Sequence, residues 1–135
     1  MRTRFSEQRD DQVMIEFVAD LAEVGRCRDV AGAFLARHHA EREVSDDLGL
    51  AVSELVSNAI QHGSGSSGTV RVVAERDRFV LEVSGADGVP DPAGRALPPP
   101  TDSSGRGLVV VQAVTDGLEF VDVDGERAVR CVRFR

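Results

Sequence analysis

The chain has 135 residues, 41% of them hydrophobic and 29% charged, and a formal net charge of -7 at pH 7. That is the composition of an ordinary globular protein, large enough to bury a core without disulfides or a structural metal, and one domain over residues 1–135 is expected. The negative charge argues against a general nucleic-acid binder, and no stretch approaches the roughly 20 apolar residues of a membrane helix.

Two cysteines, Cys27 and Cys131, are too few and too far apart for a zinc site. Residues Met1 to Arg9 are polar and lack the apolar core of a signal peptide, so the expected compartment is the cytoplasm with both thiols reduced. All 16 basic residues are arginine. Any phosphate contact by a basic side chain must therefore come from arginine or histidine.

In chain order, residues 12–18 are rich in β-formers and predict an opening strand. From Leu21 to His38, the apolar positions Val24, Val30, Ala31, Phe34 and Leu35 suit an amphipathic helix, with His38 and His39 at its end, where cations complement the dipole. Ser45 is the expected N-cap of a second helix, with Asp46 and Asp47 in its first turn, running to about Gln61 and stopping at Gly63. The buried stripe of that helix is Leu48, Ala51, Val52, Leu55, Ala59 and Ile60. Residues 63–68 are all Gly or Ser and read as a flexible turn.

Strands are expected at 69–74 and 79–84, forming a hairpin, with Phe79, Leu81 and Val83 pointing to one side. Residues 85–104, rich in Gly, Pro, Ser and Asp, form a long connection of the kind that serves as a functional lid. A Gly-Arg-Gly turn at 105–107 is expected to open a third helix, from Leu108 to about Thr115. The Asp124-Gly125 pair between strands at 118–123 and 127–134 is a hairpin signal. The order predicts a two-layer α/β sandwich with a mixed, largely antiparallel sheet and helices on one face.

Three constellations carry chemistry. In Glu54-Leu-Val-Ser-Asn58-Ala-Ile-Gln-His62-Gly63, Glu54, Asn58 and His62 recur every four residues along one side of a helix, flanking its apolar stripe. A carboxamide oxygen can join a Mg²⁺–phosphate site, and a carboxylate one turn away can orient or deprotonate a nucleophile. By themselves Glu and Asn at this spacing are usually just a solvated helix face. In Ser103-Ser-Gly105-Arg106-Gly107-Leu108, glycines let backbone approach an anion at a helix start, and Arg106 can add a charge-assisted contact. In Ser84-Gly-Ala-Asp87-Gly88, a carboxylate after a strand can accept a hydrogen bond from an adenine amino group, although Asp-Gly is also plain turn chemistry.

Taken in order, these motifs resemble the GHKL ATPase superfamily over nearly the whole chain, a superfamily with the Bergerat-type ATP-binding fold. The string from Glu54 to Gly63 is similar to that of the small bacterial anti-sigma factor serine kinases. The resemblance implies ATP and Mg²⁺ as cofactors, with Asn58 as Mg²⁺ ligand and Glu54 as general base towards a serine hydroxyl. His62, Asp87, Gly88, Gly105, Arg106, Gly107 and Leu108 would join Asn58 in the nucleotide site, and 86–104 would be the ATP lid. It further implies a homodimer that binds a sigma factor and phosphorylates an anti-sigma factor antagonist, without direct contact to nucleic acid or membrane.

The sequence departs from that pattern in two places. The Val-x-Val-x-Asp register puts Gly85 where the family's adenine-binding Asp stands, with Asp87 the nearest acid. In the final strand, Ala128 or a neighbour stands where a Thr is frequent beside the adenine. Two readings follow: an active protein-serine kinase, or a regulatory binding module on the same fold with weakened or lost ATP binding.

Overall fold

In a computed structural model, residues 6–8, 10–62, 67–85 and 103–135 are described. Their order is β1 (Ser6–Gln8), β2 (Gln12–Val18), α1 (Glu23–Arg37), α2 (Arg42–His62), β3 (Ser67–Ala74), β4 (Arg78–Ser84), α3 (Ser103–Val114), β5 (Gly117–Val123) and β6 (Glu126–Phe134). The six strands form one sheet in the order β1-β2-β3-β4-β6-β5. The helices cover one face, giving the expected two-layer α/β sandwich.

Every neighbouring pair of strands is antiparallel. The parallel component expected of a mixed sheet is therefore not realised in any ladder. The crossover through α3 does return β5 parallel to β4, but β6 folds back between them and pairs antiparallel with both.

Alternation decides which face each strand buries. Val13, Ile15 and Phe17 on β2, Val70 and Val72 on β3, and Phe79, Leu81 and Val83 on β4 face the helices. They meet Phe34 and Leu35 of α1 and Leu48, Val52, Leu55 and Val56 of α2 in one core. Each such side chain taken from water contributes about 1.5–3 kcal/mol, so this interdigitation fixes the register on which the site depends.

Ion pairs cross the open face. Glu82, 6% exposed, accepts from Arg71 (3.1 Å) and from Arg130 (2.6 Å), and Arg130 also pairs with Glu119 at 3.5 Å. This cross-strand ladder follows the register Arg71↔Glu82↔Arg130↔Glu119.

Several boundaries differ from expectation for identifiable reasons. Ser45 is not an N-cap: α2 starts three residues earlier, and the Ser45 amide donates to the Glu41 carbonyl. Val44 is buried and extends the stripe of Leu48, Ala51 and Val52 by a turn, and that packing outweighs the capping signal. Ser67 and Gly68 belong to β3 rather than to a flexible turn, because β2 extends to Val18 and pairs them as Phe17↔Gly68 and Val18↔Ser67. The closing hairpin is as read, with Asp124 at φ 52° and Gly125 at φ 81°, the positive φ at both central positions that a type I′ turn requires.

Candidate functional site

The site begins on α2. Ala51, Val52, Leu55 and Ala59 are buried and hold this helix in the core, which turns the neighbouring stripe of Glu54, Asn58 and His62 along its flank. Glu54 and His62 are half-buried, whereas Asn58 is only 8% exposed. The Asn58 carboxamide nitrogen is fully buried and finds no hydrogen-bond partner among the described residues.

Leaving a buried donor unmet costs about 1–3 kcal/mol, and native proteins seldom retain such a group without a use for it. Turning the carboxamide over exchanges its donor and acceptor ends within the same outline, so Asn58 can offer an oxygen to a cation or an amide to an anion.

What covers Asn58 is the start of α3. Leu108 and Val111, three residues apart and both buried, anchor α3 in the core, where it packs against α2. Gly107 then lies on the carboxamide: a Cβ there would stand 2.9 Å from Asn58 Nδ2 and 3.2 Å from Oδ1. Glycine is what allows this backbone to reach the side chain.

The glycine turn is therefore not a turn. Gly105, Arg106 and Gly107 are inside α3, which begins at Ser103 rather than Leu108. The Leu108–Val111 anchor offsets the roughly 1 kcal/mol that each helical glycine costs. The first amides of α3 have no intrahelical acceptor and carry the positive end of the helix dipole, a setting for phosphate. The orphaned Asn58 amide and the free first-turn amides of α3 beside it thus fit a Mg²⁺–polyphosphate group.

Among the described residues no cluster of three or more His, Cys, Asp or Glu side chains could hold a metal. The thiols take no part: burial pushes Cys27 up to about 11 and Cys131 up to about 12, which keeps both protonated.

Next to Asn58, the Ala59 methyl meets the residue that follows β4. Gly85 directly follows β4, is buried, and has φ +88°. A Cβ on it would lie 3.4 Å from both the Gly68 Cα and the Ser67 carbonyl, and 3.7 Å from the Ala59 methyl. Since the β3–β4 pairing stops at Val70↔Val83, the Thr69 amide donates instead to the Ser84 hydroxyl (2.9 Å).

This close packing of Ala59, Gly68 and Gly85 is not legible in the sequence pattern. Gly85 drew notice only for lacking a carboxylate; the signal for its conformation was a lone glycine closing an alternating strand.

Asp87, Gly88 and the lid as far as residue 102 lie outside the described residues; its last two residues, Ser103 and Ser104, start α3. Ala128 pairs with Ser84 on the open face, where a cavity of about 310 Å³ is lined by Met14, Arg71 and Glu82 among others, so it does not face Asn58.

Antiparallel strands under three helices, with an asparagine on the second helix beneath the start of the third, define a nucleotide-binding α/β sandwich. Residues 17–135 match the model of the histidine kinase-like ATPase domain, and the chain belongs to that family. It is also similar to the anti-sigma F factor of Clostridium beijerinckii, at 30% identity over 128 residues, covering 87% of each chain. Both matches support the GHKL resemblance and its anti-sigma factor branch. No helix among the described residues is long and apolar enough to cross a membrane.

Proposed function

We propose that this chain is an ATP-binding anti-sigma factor with protein-serine kinase activity. The observation that carries the reading is the buried, unpartnered amide of Asn58 beneath Gly107. The similarity to an anti-sigma F factor supports the partner class: a sigma factor held inactive, and an antagonist protein whose serine is phosphorylated.

Bound Mg²⁺-ATP supplies the transferable phosphoryl group and the cation that neutralises its charge. Asn58 gives its carboxamide oxygen to that cation. The first-turn amides of α3, with Gly105, Arg106 and Gly107, hold the phosphate oxygens. Leu108 fixes this turn by its burial, and His62 closes the helical end of the site. Glu54, one turn before Asn58, accepts the proton of the attacking serine hydroxyl. Asp87, Gly88 and the lid complete the nucleotide site in this reading, and the chain works as a cytoplasmic homodimer that contacts proteins rather than DNA.

A second reading keeps the fold and the partners but not the catalysis, and Gly85, with no side chain at the end of β4, is the observation that favours it. Titration calorimetry with ATP, with and without Mg²⁺, beside Asn58→Ala separates the two. Saturable Mg²⁺-dependent binding, lost in the variant, supports the kinase. Glu54→Gln should then bind ATP normally while losing serine phosphorylation by about 10²–10⁴-fold. No binding at millimolar ATP rejects the kinase and leaves the contact-only regulator.

A further inference from the structure

Deepening the homodimer reading above, we infer that two copies of this chain associate through the open faces of their sheets, about a two-fold axis that runs along the strands between β4 and β6.

Strands β3 and β4 carry apolar side chains on both faces. Val72 and Leu81 enter the core, while Val73 and Val80 beside them lie on the open face and are half-buried. A sheet face left to water is polar at such positions, and strands apolar on both sides mark a sheet covered on both sides. Val132 of β6 continues the row as the cross-strand partner of Val80, and Gly117 of β5 ends it.

The order of charges identifies what covers this face. The adjoining row, Arg71, Glu82, Arg130 and Glu119, alternates in sign over four strands. Turned end for end, such a row meets itself with opposite signs at every position. A second copy rotated about an axis between β4 and β6 lays Arg130 over the partner's Glu82 and Arg71 over the partner's Glu119. An axis through β4 would set Arg71 on the partner's Arg130, and one through β6 would set Glu82 on the partner's Glu119. The favoured rotation also puts Val80 over the partner's Val132, and Val73 over the partner's Gly117, which has no side chain to obstruct it. One patch thus complements itself in charge and in apolar character, as an isologous interface requires.

The single chain is already prepared for this contact. Glu82 is withdrawn from water by its own arginines, so the partner's Arg130 adds attraction with little further desolvation of the carboxylate. Stacked sheets lie about 10 Å apart, a gap that arginine and glutamate side chains bridge. The helical layers, with Asn58 and Gly107, stay on the two outer surfaces, so the pairing obstructs neither site.

The test is sedimentation equilibrium of the unaltered chain at up to about 100 μM, beside Val80→Arg, Glu119→Arg and Leu50→Arg, each first shown by urea unfolding to be folded. Leu50 is exposed on the helical layer and serves as the control. The expected result is a dimer weakened about tenfold or more by Val80→Arg and by Glu119→Arg, and unchanged within about twofold by Leu50→Arg. The Glu119 side chain is 63% exposed and its replacement leaves the fold intact, so Glu119→Arg decides the matter if Val80→Arg does not fold. A dimer that Glu119→Arg leaves unchanged within about twofold overturns the proposed face, while the homodimer reading stands. A monomer at about 100 μM rejects both, and leaves ATP binding to its own titration.

Discussion

Gly107→Ala tests the central contact of the site, because the outcome should depend on what stands at position 58. In isolation the change is favourable: alanine in a helix interior is more stable than glycine by about 0.8–1 kcal/mol. Here the added methyl would lie 2.9 Å from Asn58 Nδ2, 3.2 Å from Oδ1 and 3.4 Å from Cγ. Asn58 is buried against α3, and an inserted methyl in such packing costs about 1–3 kcal/mol. The sum in the natural background is a loss of up to about 2 kcal/mol. With Asn58→Ala the obstructing carboxamide is gone, and the same change should stabilise by about 0.5–1 kcal/mol.

Urea unfolding of the four proteins in the cycle gives the coupling directly, at an expected 1–3 kcal/mol. Equal effects of Gly107→Ala in both backgrounds, within about 0.3 kcal/mol, would refute the contact. Asn58→Ala alone should change stability by about 1 kcal/mol or less, because it removes an unmet donor as well as packing. A large destabilisation by that single change would mean that Asn58 is a structural residue and not one kept for a ligand.

Gly68→Ala puts a methyl 2.5 Å from Phe17 Cζ and 2.8 Å from the Ser84 carbonyl, so it should destabilise by about 2–3 kcal/mol in urea; a change below about 0.5 kcal/mol rejects the close approach of β2, β3 and β4. Glu82→Ala leaves Arg71 and Arg130 without their shared carboxylate. Because both arginines are more than a third exposed, the expected cost is about 1–2 kcal/mol rather than that of a fully buried pair, and it should shrink in about 0.5 M salt, roughly three times a physiological ionic strength. Alkali supplies a further test, since the chain has neither lysine nor tyrosine and its thiols lead the titration near pH 10. Cys27 and Cys131 are raised in the fold from 9.0 to about 11 and about 12, so the unfolded chain loses these protons first. Their contribution is whole below pH 9 and falls as pH rises, by roughly 1 kcal/mol per thiol at pH 10, whereas Cys27→Ala/Cys131→Ala should show a flatter profile between pH 9 and 10.5.

Local signals were enough wherever one residue type decided the conformation. Asp124-Gly125 fixed its hairpin through φ, and the alternation of Val13, Ile15 and Phe17 marked a strand facing the core. The stripe on α2 likewise placed Glu54, Asn58 and His62 on one flank before any fold was known, since helical spacing is a property of the chain alone. What stayed hidden depends on residues far apart in sequence. Val44 lengthens α2 only because a core exists for it to enter, and Gly105-Arg106-Gly107 becomes helical only because Leu108 and Val111 are held from the other side. The burial of Asn58 depends on Gly107, 49 positions later, and on a backbone approach that no pattern encodes. Gly85 shows the limit most clearly. Compared with a motif it is a missing carboxylate, but in the fold it is a residue at φ +88° packed on Gly68, where any side chain would be strained. A residue that looks like damage in the string is, in three dimensions, the one that this backbone conformation requires.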